Sequence, residues 1–335
     1  MISEICSRVV LERINHMRKI AFLFPGQGSQ YQGMGKNLLE AHPEIKKIFN
    51  EGDEALGFSM TRLILEGPEE ELKKTENTQP ALLITSMAYF HVLKKLDVTP
   101  SIVAGHSLGE YSALVANGVL DFSTACKLVR KRGQYMQEAV AEGKGAMAAF
   151  LGLSEGVAKE LIHDVQKRHQ GILGIAGCNS PGQIVLSGDR LLVEKACERA
   201  PSFGAKRATL LKVSAPFHCS LMKPAEEKLQ LDLKECTFGH MKHPYVANAD
   251  AKTYENSQTV FTLLLEQVCK PVLWEQSMIN MWNEGTRTFL EVGPGRVLSG
   301  LCKRSLSSFT KSSSEEVLIE SLDEASGLKP LAIFT

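Results

Sequence analysis

Ser101-Ile102-Val103-Ala104 is a short apolar run that reads as a buried strand, and Leu108 to Ala116 reads as a helix. Between them stands Gly105-His106-Ser107-Leu108-Gly109, of the form Gly-x-Ser-x-Gly. A strand, a tight turn and a helix with serine at the apex make a nucleophile elbow. Only glycine lets backbones pass that closely, which explains the glycines on either side of Ser107. The helix start then aims free N–H groups at the place where an oxyanion would form. A serine that merely caps a helix in a glycine-rich turn has the same spelling. The strand-to-helix context favours the elbow, and so predicts an α/β fold of the α/β-hydrolase type, with a parallel sheet core.

At 335 residues the chain suits two units, or one large domain carrying an insertion. Hydrophobic residues make up 44%, enough for a sizeable core. Lys plus Arg and Asp plus Glu both number 38, so the formal net charge is zero and nucleic acid is not the expected partner. The eight cysteines are scattered, with neither a Cys-x-x-Cys pair nor metal-ligand spacing. They read as reduced thiols of a cytoplasmic protein, with no metal site. No apolar run reaches the length of a membrane span.

Residues 1–18 read as an N-terminal extension ahead of the first strand, Lys19 to Phe24. That strand runs into Pro25-Gly26-Gln27-Gly28-Ser29-Gln30. The third glycine of a dinucleotide fingerprint would fall at Tyr31, so that fingerprint fails. The loop instead carries Gln27 to the carboxyl end of the sheet, where α/β folds place ligands. Gln79-Pro80 is expected to open a long apolar helix reaching Leu96, with proline at its first position. Asp121 caps a helix from Phe122 to about Ala141, whose apolar stripe is Ala125, Leu128, Val129, Tyr135, Met136 and Ala139. Arg132 completes the stripe. A buried arginine is costly unless paired, so either an internal carboxylate neutralises it or it waits for an anionic ligand.

Residues 144–212 have a different texture. Strand, helix, strand, strand, helix, strand is the βαββαβ order of a ferredoxin-like unit, here inserted into the larger domain. The large domain is then 19–143 together with 213–304. Ala215-Pro216-Phe217-His218 returns the chain to it and sets His218 at a cleft edge. Beyond Arg304 the chain turns serine-rich, and 305–335 reads as a loose tail with one short element near Glu315–Leu322.

Seven stretches carry a resemblance. They are Phe24-Pro25-Gly26-Gln27-Gly28-Ser29-Gln30, Thr78-Gln79-Pro80-Ala81, Gly105 to Glu110, Arg132-Gly133, Gly145-Ala146-Met147, Ala215 to His218, and Glu291-Val292-Gly293-Pro294-Gly295. In this order, over Lys19 to Arg304, the chain resembles bacterial malonyl-CoA:acyl carrier protein transacylases and the acyltransferase domains of polyketide and fatty acid synthases. The resemblance implies Ser107 as nucleophile and His218 as its base. It implies an oxyanion hole from the backbone N–H groups of Gln27 and Leu108. Arg132 would hold the free carboxylate of malonyl, with Gln79 a supporting polar contact and Phe217 a malonyl-type pocket residue. The carbonyl that orients the histidine would come from about Leu273, in Pro271-Val272-Leu273-Trp274. The expected partners are malonyl-CoA and holo acyl carrier protein, with no metal or bound cofactor, no nucleic acid, no membrane, and a monomer. Two alternatives stand beside this. One is a free-standing malonyl acyltransferase serving a polyketide synthase. The other is a serine esterase or thioesterase, which wants a carboxylate third member that Asp121, Asp164 and Asp189 are poorly placed to supply.

Overall fold

The computed structural model describes residues 19–312 and 316–323. The expected extension 1–18 lies outside them. The strands are β1 (Lys19–Phe24), β2 (Ile102–Gly105), β3 (Gly145–Leu151), β4 (Leu173–Ser180), β5 (Gln183–Asp189), β6 (Arg207–Leu210), β7 (Tyr245–Val246), β8 (Thr253–Tyr254), β9 (Thr286–Glu291) and β10 (Leu318–Ser321). The helices that position the site are α1 (Thr75–Lys95), α2 (Leu108–Ala116), α3 (Phe122–Glu138), α4 (Glu155–Arg168), α5 (Arg190–Arg199), α6 (Lys223–Lys234), α7 (Val260–Cys269), α8 (Trp274–Asn283) and α9 (Val297–Ser305).

β1 shows why the large sheet is parallel and central. Ile20, Phe22 and Phe24 join one core, while Ala21 and Leu23 join a second core across the sheet. A strand apolar on both faces belongs in a sheet covered on both sides. The sheet order is β10-β9-β1-β2-β7-β8, parallel except for the β7–β8 pair. From β1 the chain moves outward to β2 and β7, then returns to β9 on the other flank of β1. Strand order reverses beside β1, and the carboxyl ends of β1 and β2 there form the crevice where such sheets bind ligands.

The inserted unit forms a four-stranded antiparallel sheet of order β4-β5-β3-β6, with α4 and α5 packed on it, which is the ferredoxin-like arrangement. β3 divides its side chains by period two. Ala146, Ala148 and Phe150 enter this unit's own core, whereas Met147 turns to the large core and the crevice. The two units are stitched together by Val272, whose N–H donates to the Ala176 carbonyl (2.9 Å) and whose carbonyl accepts from the Cys178 N–H (2.9 Å).

Two expectations need correction. Pro80 does not open α1, because the helix begins at Thr75 and carries Pro80 inside it. Asn77 and Thr78 explain the earlier start. Their side chains donate to the Glu71 and Leu72 carbonyls (2.8 and 2.6 Å) and so tie the first turn to the preceding short helix. The serine-rich segment after Arg304 carries the short element expected near Glu315–Leu322, but also a short helix, Ser307–Ser312, where only a loose tail was expected. β10 adds a parallel edge strand to β9, placing Ile319 in the same core as Phe289. The Tyr31 hydroxyl donates to Asp323 (2.7 Å), and the Ser321 hydroxyl donates to the Gly295 carbonyl (2.6 Å). The expected short element is thus an edge strand, held by hydrogen bonds from residues far away in the chain.

Among the described residues, no helix is long and apolar enough to cross a membrane, and no group of three or more His, Cys, Asp or Glu side chains could hold a metal ion.

Candidate active site

Ser107 sits at φ 52° and ψ −107°, a left-handed conformation that a side chain adopts only when its surroundings impose it. Close backbone approach imposes it here. A Cβ on Gly105 would stand 1.9 Å from the Gly109 carbonyl oxygen, and one on Gly109 would stand 2.0 Å from the Phe24 carbonyl oxygen. Neither obstacle is a flexible side chain. Gly109→Ala is therefore expected to destabilise the fold by more than about 3 kcal/mol, read as a lowered thermal midpoint. An unchanged midpoint would show that β1 and α2 can separate at little cost.

Asn248, just beyond β7, clamps the elbow from below. Its Oδ1 accepts from the Ser107 N–H (2.7 Å) and its Nδ2 donates to the Gly105 carbonyl (2.7 Å). Nothing in its local sequence distinguishes Asn248 from an ordinary strand-end asparagine.

The hydroxyl of Ser107 lies 2.7 Å from His218 Nε2. His218 Nδ1 lies 2.8 Å from the Gln267 carbonyl oxygen. A carbonyl only accepts, so Nδ1 carries the hydrogen and Nε2 is left as the acceptor for Ser107. Burial first, and then the charge of Arg132, push the imidazole down to about 3, which keeps it neutral with Nε2 unprotonated. The orienting carbonyl is thus Gln267, not Leu273. The reason lies in α7. In a continuing helix the Gln267 carbonyl would accept from residue 271, but Pro271 has no N–H. The carbonyl is left free at the helix end and points at His218. Leu273 instead donates its N–H to the Asn248 carbonyl (3.0 Å), and its own carbonyl accepts from Ser277 within α8. A glutamine four residues before a proline was the available signal.

Gln27 and Leu108 line the same cavity, and among the described residues the backbone N–H of neither donates a hydrogen bond. Leu108 is the first residue of α2, where a helix leaves N–H groups unpaired. Gln27 lies on the glycine-rich loop after β1, with its side chain donating to Thr75 Oγ1 (3.2 Å). Phe217, next to His218, is buried and lines the cavity, which also meets Met136, Met147 and Val185 and measures about 160 Å³.

Arg132 is buried, at 2% exposure, on the inner stripe of α3. Its guanidinium donates to Gln79 Oε1 (2.7 Å), Gln267 Oε1 (2.8 Å) and Ser107 Oγ (3.1 Å). Its Nε has no hydrogen-bond partner among the described residues. Among the described residues, none of its direct contacts is a carboxylate. The carboxylate sits one residue further off. Glu110, wholly buried on α2, accepts from Tyr245 Oη (2.5 Å), from Gln267 Nε2 (2.5 Å) and from the Asn248 N–H (3.3 Å). Burial pushes Glu110 up to about 7 against the pull of Tyr245, Gln267 and Arg132.

His106, inside the elbow, also faces the cavity. Its Nε2 lies 3.0 Å from Asn179 Oδ1 on β4, which joins the two units across the crevice. Sequence reasoning missed Gln267, Glu110, Asn248, His106 and Asn179 as parts of the site. The structure brings Ser107, Leu108, Gln27, Gln79, Arg132, Phe217 and His218 around one cavity, and the carbonyl beside His218 Nδ1 is that of Gln267 rather than Leu273.

The fold and the Ser107–His218 couple put the chain among α/β enzymes that carry a serine and a histidine at a nucleophile elbow. Comparison with known proteins narrows this class: residues 21–326 match the acyl transferase domain family, and the chain belongs to that family. It is 49% identical over 288 residues to the malonyl CoA-acyl carrier protein transacylase of Bacillus subtilis, covering 86% of this chain and 90% of that one. A solved complex of a malonyl-transacylase with a type II PKS acyl-carrier protein is similar at 43% identity and a TM-score of 0.84, over 86% of this chain and 93% of the other. An acyl carrier protein S-malonyltransferase from Vibrio cholerae is similar at 39% identity and a TM-score of 0.87, over 93% and 99% of the two chains.

Proposed function

We propose that this enzyme transfers the malonyl group of malonyl-CoA to the phosphopantetheine thiol of an acyl carrier protein, through a malonyl ester on Ser107. The observation that carries the reading is Arg132. A buried cation whose NH2 lies 3.1 Å from the nucleophilic oxygen, held by two amide oxygens and, among the described residues, by no carboxylate, suits an acyl group that ends in a carboxylate of its own.

The first half-reaction follows from the geometry. His218 Nε2 takes the Ser107 proton as Oγ attacks the thioester carbonyl. The developing oxyanion is met by the N–H groups of Gln27 and Leu108, each worth roughly 2.7–4 kcal/mol of barrier by analogy with other oxyanion holes. The Gln267 carbonyl holds Nδ1–H and steadies the imidazolium. When the intermediate collapses, the C–S bond breaks and the coenzyme A sulfur takes the proton from Nε2. The second half runs in reverse with a new thiol. The phosphopantetheine sulfur loses its proton to Nε2 and attacks the ester carbonyl, and Ser107 leaves and recovers the proton. Thioester and ester exchange conserve oxidation state, and the chain's own groups supply every proton transfer, so the scheme calls for no metal or bound cofactor. We assign this activity to fatty acid synthesis in the cytoplasm, with the chain working as a monomer and without nucleic acid. The similar complex with a type II PKS carrier protein supports a second reading, in which the acceptor serves polyketide assembly.

The hydrolase reading is disfavoured because the third partner of the couple is a main-chain carbonyl rather than a carboxylate. The test is an intact mass after incubation with malonyl-CoA or acetyl-CoA and no acceptor. A malonyl adduct is expected with the wild type, far less adduct with acetyl-CoA, and none with Ser107→Ala. Addition of fatty acid or polyketide carrier proteins then identifies the acceptor. Release of free malonate without a lasting adduct would overturn the proposal in favour of hydrolysis.

A further inference from the structure

We propose that Glu110 is a positioning residue for acyl selection: it fixes the Gln267 side-chain amide so that its oxygen faces Arg132, and thereby holds the guanidinium in place without neutralising it. The inference rests on the reading of Arg132 as the receptor for the acyl carboxylate.

The argument is one of donors and acceptors. Gln267 Nε2 has two hydrogens, and both have acceptors: Glu110 Oε2 at 2.5 Å and the Ser107 carbonyl at 2.8 Å. Gln267 Oε1 faces Arg132, which has only donors. A flipped amide would set an oxygen against two acceptors and an NH2 group against a guanidinium. One orientation is therefore enforced, and Glu110 supplies the strongest part of that enforcement. Glu110 is in turn held by Tyr245 and by the Asn248 N–H, both donating to Oε1, so that Oε2 is presented to Gln267.

The arrangement also settles a conflict. A carboxylate in direct contact with Arg132 would occupy the place the substrate needs. An arginine with no negative charge nearby would be costly to bury. Setting the carboxylate behind an amide stabilises the cation through space and leaves its NH groups to partners that are neutral and therefore weaker than a carboxylate. The even choice posed by the sequence, an internal carboxylate or an anionic ligand, is then not a choice, because both act on the same arginine from different distances.

The test uses rapid-quench acylation of the full chain by malonyl-CoA and by acetyl-CoA. In Glu110→Gln, Oε1 stays with Tyr245 and the Asn248 N–H, so the new NH2 group opposes Gln267 Nε2 and favours the flipped amide. Acylation by malonyl-CoA is expected to lose about 10- to 100-fold in kcat/KM, chiefly through KM, with acetyl-CoA changed by less than about threefold. In an Arg132→Ala background the same substitution is expected to have little further effect on malonyl-CoA. Equal losses for both donors, or an undiminished loss in that background, would overturn the proposal and leave Glu110 a structural residue. If Glu110→Gln fails to fold, Gln267→Met cuts the same link while keeping the main-chain carbonyl on His218, and the same two outcomes apply. A wild type that forms no malonyl adduct would instead overturn the functional reading beneath the proposal.

Discussion

Replacing His218 with alanine is expected to slow malonylation of Ser107 by roughly 10²- to 10⁴-fold, the usual contribution of a positioned general base. The variant keeps Ser107, the free N–H groups of Gln27 and Leu108, and Arg132, so the substrate still binds and KM moves little. What it loses is the acceptor 2.7 Å from the hydroxyl. The pH dependence separates this role from a structural one. Burial and the neighbouring Arg132 push the wild-type imidazole down to about 3, so the acid limb of kcat/KM should lie well below the ordinary histidine value of about 6.5. An acid limb near neutrality that disappears in the variant would mean that His218 is solvated in the free enzyme. The sign for stability follows from the same shift. Between the ordinary value and about 3 the unfolded chain binds a proton at residue 218 that the folded chain refuses, so the wild-type fold loses stability as the pH drops through that window. His218→Ala removes that component.

Replacing Arg132 with alanine is expected to lower kcat/KM for malonyl-CoA by about 30- to 4,000-fold, equivalent to roughly 2–5 kcal/mol for losing one partner of a buried charge pair. Acetyl-CoA should be used as well as before, or better, since the variant no longer has to bury an unpaired cation. Preference between the two donors would then collapse. Arg132→Lys should fail to restore it. Lysine carries one compact charge, whereas the arginine fork reaches Gln79, Gln267 and Ser107 with separate N–H bonds. Steady-state acylation with both donors, beside thermal melting to confirm folding, measures the effect. Retained preference for malonyl in Arg132→Ala would assign selection to the shape of the cavity around Phe217 and Met147 instead.

The depth of the site in the sequence varied with the distance over which each contact forms. The elbow was legible because Gly105, Ser107 and Gly109 lie within five residues, and their spacing alone demands a close backbone crossing. Arg132 was legible as an anomaly, one charge on an otherwise apolar helical stripe. The order of elements in the inserted unit was likewise legible, because each of its strands and helices is marked by its own turns. The orienting carbonyl was not. A backbone group has no residue identity, and the choice between Gln267 and Leu273 turned on the way α7 ends at Pro271 while Val272 pairs with β4. The short element near Glu315–Leu322 was legible, but its pairing with β9 was not, because a ladder to a strand elsewhere in the chain leaves no local mark.

By itself, then, the chain determined what forms between near neighbours: the buried parallel strand, the strained turn, the capped helix with a stranded arginine, and the small inserted sheet. Those are set by steric exclusion, hydrogen-bond valence and periodicity over a dozen residues. Only the tertiary structure decided how Gln267 would be used, since its contacts reach Arg132, Ser107 and Glu110 across separations of 135, 160 and 157 residues. Each of those partners had several possible mates in the chain, and the packed core left it one.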